Sequence, residues 1–258
     1  MYFSKIESLG NDFVIFGSPA NSLTPETDTI KRICDRHYGI GADCAICITS
    51  SNEADFSMHV YNPDGFEAEI CGNALRCSAR YVTDKGFFKK RRFSVSTNSG
   101  IRSLIVNDDL ITAEIGKPFI QAKGVLDVSG KAFQYISVSV GNPHCVILVP
   151  SLSDEFVLYF GRAIEHHPNF PNGTNVEFAK IINDDEIEMR VWERGIGETL
   201  SCSTGSCAVV AALKSSNYNN ETIHIHQPGG TIDVETRTCG NMFITGSCKT
   251  VFTGNFND

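Results

Sequence analysis

Short stretches of alternating or β-branched residues dominate this chain. Phe3–Ile6, Asp12–Phe16 and Ala45–Thr49 are such runs, and Phe56–Tyr61 alternates before the turn signal Asn62-Pro-Asp-Gly65. Phe93–Thr97, Ile101–Val106 and Leu110–Ile115 read as a meander. A second series follows at Tyr135–Val140, Cys145–Val149, Val176–Ile182, Glu186–Val191, Thr222–Ile225, Thr231–Val234 and Asn241–Thr245. Helical spacing is confined to three segments. They are Pro25–Arg36, with Thr24 as N-cap and Glu26 in the first turn, then Asn73–Thr83 and Gly205–Ser215. This pattern predicts an α+β fold with two pseudo-symmetric domains, each a mainly antiparallel sheet wrapped around a central helix.

The two series repeat at a fixed offset. Residues 58–71 read MHVYNPDGFEAEIC and residues 189–202 read MRVWERGIGETLSC, so Met58, Val60, Glu67 and Cys71 map onto Met189, Val191, Glu198 and Cys202, each 131 positions on. Gly10-Asn11 maps onto Gly141-Asn142 in the same way. An offset of that length matches an ordinary domain. The expected division is 1–117 and 118–258, at Gly116-Lys-Pro118, with the last strand able to pack back on the first half.

Composition narrows the class. Hydrophobic residues make up 41% of the 258 and include 17 Phe, enough for sizeable cores, and charged residues make up 20% with no biased stretch. Disorder is therefore not expected. The net charge of −8 argues against nucleic acid or an anionic membrane as partner. The segment MYFSKIESLGNDF lacks the apolar run of a signal peptide, and Cys207–Leu213 is far short of a bilayer span, which predicts a cytoplasmic protein. Ten cysteines in a reducing compartment predict thiols rather than disulfides. Cys44-x-x-Cys47 has ligand spacing, but no second CxxC or His pair completes a tetrahedral set, so no metal site is expected.

Chemistry concentrates at the repeat cysteines. Cys71-Gly72-Asn73 and Cys202-Ser203-Thr204-Gly205 each place a sulfur where a helix begins. The positive end of a helix favours thiolate, and its first amides form an anion site. A single buried cysteine there would be ordinary; two at one repeat position point to a shared task. Two thiols can take a proton from one face of a carbon and return one to the other, with carboxylate charge held by helix amides rather than by an electron-sink cofactor. The offset also pairs Asn62 with Glu193 and Cys44 with Asn175. Asn11, Asn62 and Asn142 suit turns or ligand contacts. His144 suits a structural hydrogen bond, the tuning of a thiol or the orientation of a ligand. Arg194 suits an ion pair, a solvated face or a two-pronged grip on a carboxylate.

At these residues the chain resembles the diaminopimelate epimerase family nearly end to end. The resemblance is carried by Leu9-Gly-Asn-Asp-Phe13, Tyr38-Gly-Ile-Gly-Ala-Asp43, Tyr61-Asn-Pro-Asp-Gly65 and Cys71-Gly-Asn-Ala-Leu-Arg76. It continues in Gly141-Asn-Pro-His144, Asn175-Val-Glu-Phe178, Trp192-Glu-Arg-Gly-Ile-Gly-Glu-Thr199 and Pro228-Gly-Gly230. It implies a cofactor-independent isomerase of LL- and meso-diaminopimelate, in lysine and peptidoglycan precursor synthesis, working as a homodimer with substrate between two domains. It implies Cys71 and Cys202 as acid and base, with His144 and Glu193 tuning the thiols. It implies Asn11, Cys44, Asn62, Asn142, Asn175, Glu193 and Arg194 at the substrate, and amides of Gly72, Asn73, Ser203 and Thr204 on the reacting carboxylate. Two positions depart from the pattern: Cys44, where relatives often carry Gln, and Ser203, where Gly is usual. A related racemase of another amino acid, such as histidine, is the alternative, distinguished by Asn62, Asn175 and Arg194. A non-catalytic thiol or metal-binding protein would explain the cysteine count but not the shared repeat position.

Overall fold

The computed structural model describes residues 1–68, 71–237 and 239–257. The chain forms two compact units, Met1–Glu114 with Thr245–Asp258, and Ile115–Ile244.

The first unit is built from β1 (Tyr2–Ser8), β2 (Asn11–Gly17), α1 (Thr27–Cys34), β3 (Cys44–Thr49), β4 (Phe56–Tyr61), α2 (Gly72–Asp84), β5 (Arg92–Thr97) and β6 (Gly100–Asn107), with most of β7 (Leu110–Gly116). β1 and β2 form a hairpin turned through Leu9 and Gly10, both at positive φ. β2–β3 and β4–β5 are parallel, while β3–β4, β5–β6 and β6–β7 are antiparallel. Ten residues of α2 are buried, from Gly72 to Val82 around nearly the whole helix. A helix buried on all sides is a core helix, and the strands curve around it.

The second unit contains β8 (Phe119–Val128), β9 (Lys131–Ser139), β10 (Pro143–Leu148), a π-helical turn over Glu155–Gly161 running into α3 (Arg162–Glu165), β11 (Asn175–Ile181), β12 (Glu186–Glu193), β13 (Gly197–Thr199), α4 (Ser203–Lys214), β14 (Thr222–Gln227) and β15 (Gly230–Thr236). β16 (Met242–Ser247) straddles the unit boundary, and β17 (Lys249–Asn255) belongs to the first unit, antiparallel to β1.

The 131-residue offset survives in the pairing. Phe13 opposes Cys44 across parallel β2 and β3; His144 opposes Asn175 across parallel β10 and β11. Ile46 opposes Val60 in the first unit, and Glu177 opposes Val191 in the second. β17 flanks β1 as β8 flanks β9. Phe13, Phe56, Leu75 and Val95 are fully buried in the first unit, as are Phe178, Ile187, Val191 and Val209, or nearly so, in the second.

Beyond the unmarked strands β13 and β17, three elements differ from the pattern-based expectation. The first helix spans Thr27–Cys34 with Glu26 rather than Thr24 as N-cap. It stops before Arg36 because the Asp35 carboxylate accepts the amides of His37 and Tyr38, which fixes a turn. The first seven residues of β8 carry no buried side chain and only Leu126 and Val128 reach the core, so its pairing with β9 defines it. The Glu155–Glu165 helical segment lies in an aromatic, strand-prone run, and long-range packing of Phe156 and Phe160 on Phe133 selects helix.

Candidate active site

Cys202 is the N-cap of α4, at φ −130° and ψ 110°. Its sulfur accepts the amide of Gly205 at 3.4 Å and lies 3.5 Å from Thr204 Oγ1. Its own amide donates to Gln227 Oε1 at 2.8 Å, and Gln227 in turn donates to Ser206 Oγ, so the start of α4 is bolted to β14. Burial pushes the Cys202 thiol well up, and the carboxylates of Glu193 and Glu177 push it further. Burial also raises Glu193, against hydrogen bonds from Thr199 and Cys202 and the nearby His144. Both groups are thereby held towards their protonated forms by the same buried surroundings.

His144, at the start of β10, has no exposure. Its Nε2 meets Asn142 Oδ1 at 2.9 Å and its Nδ1 meets Glu177 Oε1 at 2.6 Å. Asn142 also donates to Thr204 Oγ1 at 3.4 Å, which ties this chain of groups to the first turn of α4. Asn175 donates to the carbonyl of Pro143 and accepts the amide of Arg194, so it joins β10 to the corner after β12. The second unit therefore gathers Asn142, His144, Asn175, Glu193, Arg194, Cys202, Ser203 and Thr204. Ser203 is the first residue of α4 and carries no positive φ, so the hydroxyl side chain fits where glycine is usual.

The first unit repeats the motif with fewer charges. Cys71 is the N-cap of α2 at φ −127° and ψ 111°, nearly the values of Cys202. Gly72 and Asn73 supply the first amides of α2. Asn73 donates to Asn11 Oδ1 at 3.3 Å, the counterpart of the Asn142–Thr204 contact. Asn11 is held in turn by Asp43, which with Asp12 and Arg36 forms an ion-paired brace. Cys44 Sγ donates to Asn62 Oδ1 at 3.8 Å, so those two sit together. Cys47 points away, its thiol to the carbonyl of Leu23. Residues three apart on a strand face opposite sides, so the CxxC spacing here is not a ligand pair. A shallow cleft beside Cys71 is lined by Met58, Val60, Glu67, Ala68 and Thr97.

Glu177 is the residue that motif reading missed. The signal was present: one acidic residue inside the apolar run Val176-Glu-Phe-Ala179, aligned by the offset with Ile46. Gln227, which bolts Cys202 in place, carried no such mark.

Each unit thus presents a thiol at a helix start, beside amides able to hold an anion. Solved structures share this two-unit fold. A probable proline racemase from Agrobacterium radiobacter K84 aligns with a TM-score of 0.76 at 14% identity, over 99% of this chain and 92% of that one. A hydroxyproline epimerase from Agrobacterium vitis aligns equally well over 98% and 91%. A phenazine biosynthesis protein of the PhzF family from Bacillus anthracis aligns at 0.71 over 99% and 98%. Sequence relatives define the class as an isomerase. The family profile for diaminopimelate epimerase matches residues 3–120 and 136–251, and the chain belongs to that family. Diaminopimelate epimerases of Leptospira biflexa serovar Patoc and Pelotomaculum thermopropionicum are each 37% identical, covering 98% and 99% of this chain and 97% and 99% of their own lengths.

Proposed function

We propose that the chain interconverts LL- and meso-2,6-diaminopimelate, with Cys71 and Cys202 as the two acid/base thiols, one from each unit. The reading is carried by one observation: equivalent helices start on equivalent cysteines with the same backbone geometry.

In this reading one sulfur, as thiolate, takes the α-proton, and the electron pair of the broken C–H bond passes into the adjacent carboxylate. Amides at the first turns of α2 and α4 stabilise that charge. The other sulfur, as thiol, gives its proton to the opposite face of the same carbon. Each turnover leaves the roles exchanged, so the reverse stereoisomer finds the complementary state. The high proton affinity of Cys202 supports its being the thiol at rest, with Glu193 as the group that exchanges its proton. Asn62, Asn175 and Arg194 bind the distal amino-acid end, and Asn11, Asn142 and Cys44 complete the pocket. The enzyme works as a homodimer in the cytoplasm, where its thiols stay reduced; sedimentation at assay concentration tests the dimer.

Incubation with LL-diaminopimelate in D2O decides the substrate. Deuterium at Cα together with appearance of the meso form is expected. Exchange with another amino acid, such as histidine, and none with diaminopimelate would overturn the assignment.

A further inference from the structure

Glu177 is a buried acid in a place where the fold needs none. It has no exposure, its Oε2 is buried with no hydrogen-bond partner among the described residues, and its strand neighbours Val176 and Phe178 are fully buried. The first unit is an internal control. At the positions of His144, Glu177 and Gly205 it carries Phe13, Ile46 and Ala74, each 131 residues earlier and each fully buried. The strand registers are the same. Hydrocarbon closes the core there. In the second unit the three positions are His, Glu and Gly. The glycine makes the room, since a Cβ on Gly205 would come within 2.8 Å of Glu177 Oε1.

The hydrogen bonds fix the proton count. Asn142 donates its amide nitrogen to Thr204 and so presents its carbonyl to His144, whose Nε2 therefore carries hydrogen. One further proton lies between His144 Nδ1 and Glu177 Oε1. The pair is thus neutral as a whole, with one transferable proton. With Oε2 of Glu177 buried and unpartnered among the described residues, the His144–Glu177 bond is the one route by which this proton is shared. Around the pair stand Glu193, Cys202 and Cys145. When negative charge develops at Glu193, which His144 favours, the shared proton can move towards Nδ1 without a proton from solvent.

We propose that Glu177 is a positioning residue for the epimerisation: it orients His144 and holds the proton that the ring takes up as a thiol ionises. This rests on the two-thiol reading given above.

Glu177→Gln tests it. Glutamine keeps the size and still donates to Nδ1, but offers no transferable proton. The expected result is a fall in kcat of about 10-fold or more, with KM and Tm close to wild type. A merely structural Glu177 would leave kcat unchanged, and that outcome overturns the proposal. Glu177→Ile with Gly205→Ala installs two of the three apolar residues that the first unit carries at these positions and keeps His144; it should lose kcat while circular dichroism reports a folded chain. A proton spectrum reads the shared hydrogen bond without turnover. A far-downfield resonance assigned to the His144–Glu177 bond is expected in wild type and absent in E177Q; its absence from wild type also overturns the proposal. If wild type fails to epimerise diaminopimelate while that resonance is present and lost in E177Q, the substrate reading fails and the proton-holding role stands.

Discussion

A buried cysteine is ordinarily inert, because desolvation holds it as thiol. Cys34 and Cys47 are of this kind, both pushed up to about 12 by burial. Cys202 is buried as well, but it sits at a helix start and hydrogen-bonds to Glu193. Cys71→Ala and Cys202→Ala are each expected to lower kcat by at least about 10³-fold in the epimerisation assay with little change in Tm. Wild-type rates in either variant would remove the two-thiol reading. Both cysteines were legible because duplication marks them: one sequence position filled twice by the same reactive residue is unlikely to be packing alone. The pairing of Asn11 with Asn142 was legible for the same reason. Glu177 left a trace, an acid inside an apolar run, but its partner His144 was not readable; Gln227 left none, because its role depends on what it faces across a helix start, which spacing does not encode.

At the scale of elements, α2 and α4 organise both units, and their positions were readable from apolar spacing and from the cysteines ahead of them. Their first turns differ in a way that matters. Ala74 in α2 is a helix-favouring residue; its counterpart Gly205 in α4 is a poor one. Gly→Ala inside a helix normally stabilises by about 0.5–1 kcal/mol. Gly205→Ala is expected to do the reverse, by about 1–3 kcal/mol in urea unfolding, because the new methyl would displace Glu177 from His144. Adding Glu177→Ile should recover much of that stability but not the activity. The elements that were not legible, β8 and the Glu155–Glu165 helical segment, share a cause. Each shows its buried face only once packed, Leu126 and Val128 in β8 and Val157, Phe160 and Ile164 in the helical segment, and each is decided by a partner outside its own run.

At the scale of the whole molecule, the first unit is held by charge as well as by its core. Asp12 meets Lys5 at 2.7 Å and Arg36 at 2.8 Å. Burial alone would raise its carboxyl, but these two cations override it and hold it far below the usual carboxylate range. A carboxyl lowered on folding contributes stability at any pH above its unfolded value of about 4, and that contribution drains away as the pH falls further. Asp12→Asn should therefore cost on the order of 3 kcal/mol at pH 7, with the difference from wild type shrinking below about pH 4 in denaturant titrations. The placement of β17 has a different kind of consequence. A ribosome delivers β1 early, yet the strand that completes its sheet edge follows all of residues 115–244. The second unit is thus complete in the emerging chain before the first has its last strand. During that wait β1 offers an unpaired edge, and the repeat-equivalent of its missing neighbour, β8, has already emerged. Until β17 arrives, each nascent chain must keep β8 for β9 alone, so the duplication that built the site also brings a competing partner for β1.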